Sequence, residues 1–181
     1  MSDKLKNTLE ALAAAQGKDK FTGLNERDGK HYHCAESTVM MINDKHPLPG
    51  FGLDTMRIMS CTGSGVSLSG CACGAVVGIG TALGLVYGTD GTETAEEFSK
   101  KRVPMMMMVR GIVNEFREKF GAVNCVDLTG LDFSVDDDGL ENWLDVYIER
   151  EKLDVNCHSY IDWAAERVLA QLKSSPPFLS Q

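Results

Sequence analysis

Positive charge is scarce in this chain. Lys and Arg number 18 against 26 Asp and Glu, a net charge of -8, and the pI is near 5.0. That balance argues against nucleic acid or an anionic membrane surface as the main partner. Long hydrophobic runs are missing too. The longest, Ala75 to Tyr87, is interrupted by glycines and too short to cross a bilayer, so no membrane insertion is expected. Met1 to Lys20 alternate charged and apolar residues and read as neither a secretory signal nor a transit peptide. A cytoplasmic protein is the expectation, and there thiols stay reduced unless they are catalytic or hold a metal. Neither Cys-x-x-Cys nor Cys-x-x-Cys-His occurs. The second absence excludes covalent haem attachment, and the first weakens a dithiol oxidoreductase reading, as does the lack of a βαβ pattern. Six cysteines could pair as three disulfides, but the size and the missing signal speak against a secreted disulfide scaffold.

What is present suits a single globular domain. The 181 residues are 43% hydrophobic and 24% charged, ordinary for a chain that buries a core. Leu5, Leu9, Leu12 and Ala13 repeat at helical spacing over Asp3–Gln16. A short helix is expected over Cys34–Asn43, another from Leu53 to near Cys61, and a glycine-rich loop over Gly63–Gly70. A fourth helix is expected from Ala72 to Tyr87, with a buried strand over Ala75–Val86 as the alternative that its length disfavours. A long fifth helix begins among the acidic residues at Thr92–Glu97 and ends at Gly121, with Pro104 kinking it or marking its true start. The last runs from His158 to Leu172. The fold expected is an all-α bundle: residues 1–30 a flanking helix and polar loop, 31–173 the main domain, 174–181 a loose tail.

Two other patterns invite a metal and carry little. The four methionines Met105–Met108 point around a helix, as core fillers do. Asp136-Asp137-Asp138-Gly139 resembles part of a calcium loop, but Ser134 and Asp145 occupy the first and twelfth positions of the motif, where it needs acid and glutamate.

The informative stretch is Gly70-Cys71-Ala72-Cys73-Gly74-Ala75-Val76-Val77-Gly78. Two cysteines stand one residue apart where a glycine-rich loop turns into a small-residue helix. A helix start presents unpaired N–H groups and the positive end of the dipole, so a thiol there is expected to lose its proton more easily. Gly70, Gly74 and Gly78 are four apart, as are Gly80, Gly84 and Gly88. Each costs an isolated helix about 1 kcal/mol relative to alanine, so bare backbone is expected to face a neighbouring helix or a bound centre. Cys34, Cys73, Cys125 and Cys157 all lie at or near expected helix starts. Converging thiolates of that kind can hold an iron–sulfur cluster or zinc. Histidines adjoin two of them, in His31-Tyr32-His33-Cys34 and Cys157-His158, which keeps mixed Cys/His zinc open.

Cys34, then Cys73-Gly74-Ala75-Val76-Val77-Gly78, then Cys125, then Cys157 resembles the redox-active proteins named after their C_GCAxxG_C_C cysteine pattern. The likeness spans roughly Cys34 to Leu172. It implies an all-helical redox domain, and a similar domain in certain cytochromes with an iron–sulfur centre favours cluster binding. The chain departs from the pattern by adding Cys61 and Cys71.

The leading expectation is an electron-transfer protein with an iron–sulfur cluster on Cys34, Cys73, Cys125 and Cys157, tuned by the Gly70 and Gly74 N–H groups. The alternatives are a thiol–disulfide oxidoreductase using Cys71 and Cys73, or a structural zinc-binding protein. The partner expected is a redox protein of unspecified identity, with a homodimer left open.

Overall fold

In the computed structural model, which describes residues 26–27, 30–131 and 157–174, the apolar residues at helical spacing form helices. Those residues contain α1 (Cys34–Lys45), α2 (Leu53–Met59), α3 (Gly63–Val66), α4 (Gly74–Tyr87), α5 (Ala95–Phe120), α6 (Cys125–Thr129) and α7 (Cys157–Lys173). Extended pairing among them is limited to β1 (Glu26–Arg27) with β2 (Lys30–His31), antiparallel, and an isolated bridge between Ala72 and Asn124. The fold is all-α. The helix expected over Asp3–Gln16, the turn at Asp136–Gly139 and the tail beyond Ser174 lie outside the described residues.

Helix α4 is apolar on every side, and none of its residues is exposed. Such a helix belongs at the centre of a bundle, and α4 lies against α1, α5 and α7. Val39 and Ile42 of α1, Ile79 and Leu83 of α4, Ile112 and Phe116 of α5, and Ile161 and Val168 of α7 form the core. The two glycine series on α4 part company here. A Cβ at Gly78 would stand 2.6 Å from Thr38 Cβ, so α1 and α4 touch through bare backbone, whereas Gly80 and Gly84 have open space beside them.

Helix α5 starts at Ala95, not at Pro104. Thr94 N donates to Glu97 Oε2 (3.0 Å) and Glu97 N to Thr94 Oγ1 (3.3 Å), a reciprocal cap that fixes the earlier start. Met105 and Met108 lean on the core while Met106 and Met107 are exposed, so the run does not converge on anything. Arg167 of α7 grips Glu115 of α5 through Nε (2.6 Å) and Nη2 (2.9 Å).

The Gly63–Gly70 segment departs most from expectation. Five successive residues, Ser64 to Leu68, have positive φ, between 50° and 72°. Only Gly65 among them is glycine, and each of the others costs about 1–2 kcal/mol in that conformation. Ser67 Oγ donates to Cys61 O (2.7 Å) and Cys71 N to Gly65 O (3.0 Å), which ties this left-handed turn to the chain on both sides of it.

Candidate metal centre

Each of the four cysteines singled out above opens a helix. Cys34, Cys125 and Cys157 are the first residues of α1, α6 and α7, and Cys73 is the N-cap of α4. Long-range backbone bonds set two of them side by side. Cys73 N donates to Val123 O (2.8 Å), Cys125 N to Cys71 O (2.6 Å) and Val126 N to Gly70 O (3.0 Å). This short antiparallel ladder around the Ala72–Asn124 bridge joins the mouth of α4 to the mouth of α6. Helix packing brings in the other two. Gly74 leaves no room for a side chain because Cys34 Sγ occupies the place a Cβ would take, with Ala35 N 2.7 Å away.

Cys34, Cys73, Cys125 and Cys157 line one cavity. Its interior is small, about 20 Å³, within roughly 440 Å³ of empty space that includes the open mouth. Leu68, Leu128, Leu131 and the ring of Tyr160 supply apolar wall. No imidazole among the described residues lines it. His33 faces a neighbouring cavity of about 90 Å³ with Cys61, and that cavity shares Ser64 and Leu68 with the first; His158 is exposed. Among the described residues no three His, Cys, Asp or Glu side chains stand close enough together to hold one metal ion. The donor set is therefore four sulfurs around a space rather than a ready single-ion site.

The electrostatics correct one expectation. Cys73 does not have an easily ionised thiol: burial pushes its pKa far up, and Cys34 pushes it further. The Ala75 N–H at the start of α4 pulls the other way, while Cys125 and Cys157 add to the rise. The helix start acts as expected, but desolvation and neighbouring sulfur outweigh it. Burial, then Cys157, Cys73 and Cys125, likewise raise the Tyr160 phenol.

Other expected site residues fall in different places. Cys71 and Cys61 are exposed and do not line the four-thiol cavity. Gly70 N–H lies against Ser64 O (3.4 Å), and Gly74 leaves the space that Cys34 Sγ occupies. Tyr160, not singled out from the sequence, also lines the cavity. It stands three residues after Cys157, one turn along the same helix face, and its hydroxyl donates to Leu128 O (3.2 Å), tying α7 to α6. The ring also packs on Phe116 and Phe120, with centroids 5.9 and 4.9 Å away.

This arrangement coincides with a family pattern. The family model described as "Putative redox-active protein (C_GCAxxG_C_C)" matches residues 32–170, a span that contains all four cavity cysteines. The chain belongs to this family. No curated protein and no solved structure matches it. Among the described residues no helix is long and apolar enough to cross a membrane. In this member of the C_GCAxxG_C_C family, Cys73-Gly74-Ala75-Val76-Val77-Gly78 forms the N-cap and opening turns of α4, with the two closely packed glycines Gly74 and Gly78.

Proposed function

We propose that this C_GCAxxG_C_C protein is a cytoplasmic electron carrier with an iron–sulfur centre on Cys34, Cys73, Cys125 and Cys157. The observation that carries the reading is that these four cysteines, drawn from four helix starts, line one cavity whose remaining wall is largely apolar. A bound iron–sulfur centre supplies one-electron transfer at a potential set by hydrogen bonding and solvent access. The chain's own residues supply the rest. The N-termini of α1, α4 and α7 point positive dipole ends toward the thiolates and offset part of their charge. The Tyr160, Leu128 and Leu131 wall limits water. Cys73 must give up its proton to become a ligand, so loading releases protons.

The all-sulfur character of the cavity supports such a centre: among the described residues no imidazole lines it, and cysteine thiolates are the usual ligands of iron–sulfur clusters. Thiol exchange through Cys71 and Cys73 is less well supported, since Cys73 is buried with its pKa raised and thiolate is the nucleophile.

The test is anaerobic reconstitution with ferrous iron and sulfide, followed by absorption spectroscopy and a redox titration. A visible sulfur-to-iron band that bleaches reversibly on reduction supports the reading. A colourless protein that takes up zinc with comparable affinity would support the zinc alternative instead.

A further inference from the structure

Ser64 carries a buried hydroxyl for which the described residues offer no hydrogen-bond partner. The residue is 9% exposed and lines the four-thiol cavity, yet its Oγ makes no hydrogen bond with any other described residue. The two other hydroxyls on that wall are committed. Thr129 Oγ1 donates to Cys125 O (2.7 Å) and Tyr160 OH to Leu128 O (3.2 Å). Buried polar groups without a partner are few in native proteins, and each calls for an explanation.

The backbone under Ser64 is unfavourable as well. Ser64 sits at φ 52°, ψ 40° and begins the left-handed turn. Conformations of that kind persist where the surroundings over-determine them, and they cluster at functional sites. Here the surroundings adjoin the cavity cysteines. A Cβ at Gly63 would stand 2.6 Å from Cβ of His33, the neighbour of Cys34, and one at Gly65 would stand 2.5 Å from N of Cys71. The turn is pressed between the approaches to Cys34 and Cys73, and it places Ser64 on the wall that the four-thiol cavity shares with its neighbour.

We propose that Ser64 is a positioning residue for the metal centre, its Oγ–H donating to a sulfur of that centre, either cysteine thiolate or inorganic sulfide. The inference rests on the cysteine-held iron–sulfur centre proposed above. Protonated thiols are weak acceptors, so the hydroxyl gains its partner only when the site loads. A hydrogen bond to sulfur stabilises the more negative, reduced state and so raises the potential.

Two variants test this, with midpoint potential and metal-free melting as readouts. Ser64→Ala keeps the Cβ and loses the hydroxyl; Ser64→Gly also relieves the positive φ. Both should load iron and sulfide like the parent and show a lower midpoint potential. Metal-free Ser64→Ala should melt no lower than the metal-free parent, because the deleted hydroxyl had no partner there. An unshifted potential in both variants overturns the role of Ser64 and leaves the centre standing. A metal-free Ser64→Ala protein that melts well below the parent overturns it too, since the hydroxyl then has a partner within the protein. Loss of loading in a folded Ser64→Ala variant does the same, because a tuning donor is not needed to hold the metal. A parent that takes up no iron and sulfide overturns the centre itself, and this inference with it.

Discussion

Cys73 combines two opposing demands in one residue. It has the N–H groups of a helix start within reach, and it is nevertheless the thiol whose pKa is driven up by burial and by Cys34. A site built this way keeps its proton until metal displaces it. Uptake of iron and sulfide should therefore strengthen as pH rises through the neutral range, and titrating iron uptake at several pH values would check this; uptake independent of pH would argue that Cys73 is not a ligand. Gly74 is the second residue whose role is set by contact. Alanine there drives a Cβ onto Cys34 Sγ, so Gly74→Ala should lose roughly 1–3 kcal/mol of stability to overpacking and bind less iron per chain. Thermal melts and metal analysis measure the two effects separately. The position of each cysteine at or near a helix start was legible in the sequence, although the helix behind Cys125 is only five residues long and carries no apolar run of its own. The direction of the Cys73 shift was not. It depends on Cys34, Cys125 and Cys157, which reach the same cavity only through the fold.

At the scale of elements, the meeting of α1 and α4 carries the site. Gly74 and Gly78 were legible as a close-contact face from their spacing. Gly80, Gly84 and Gly88 show the same spacing and yet do not form one, because which face meets a neighbour is settled by tertiary packing. The difference makes a paired prediction. Gly78→Ala should destabilise by about 1–3 kcal/mol because its Cβ meets Thr38. Gly84→Ala, with open space beside it, should stabilise by up to about 1 kcal/mol through helix propensity. Melting both variants decides the matter: two upward shifts would mean that α1 and α4 do not touch as described. The left-handed turn over Ser64–Leu68 was the element least legible beforehand. Its glycines signalled unusual dihedrals, but nothing local announces a left-handed serine, valine or leucine, and the bonds that tie the turn to Cys61 and Cys71 exist only in the fold.

Across the whole molecule, α5 and α7 are joined by the Glu115–Arg167 pair, and this tie has a pH signature. The Arg167 guanidinium, hydrogen-bonded to it, holds the Glu115 carboxyl below the ordinary 4.5. A lowered carboxylate pKa contributes stability in full above the unfolded value and loses it as pH falls through the folded one. The Glu115 side chain is 44% exposed, so screening keeps the contribution below about 1 kcal/mol. Glu115→Gln should accordingly be slightly less stable than the parent at neutral pH, with the difference vanishing in acid; denaturant melts at both pH values measure it. The all-α architecture was legible in the spacing of apolar residues, whereas the Cys71–Cys125 ladder joining α4 to α6 was not, since backbone bonds between distant segments leave no local signature. The claim on which the functional reading depends is that Cys34, Cys73, Cys125 and Cys157 hold one centre together. Its most direct measurement is iron and acid-labile sulfide per chain after anaerobic reconstitution, in the parent and in all six single Cys→Ser variants. The expected result is a sharp loss in those four variants, with Cys61→Ser and Cys71→Ser close to the parent. Full loading in Cys73→Ser, or equal losses across all six, would contradict it.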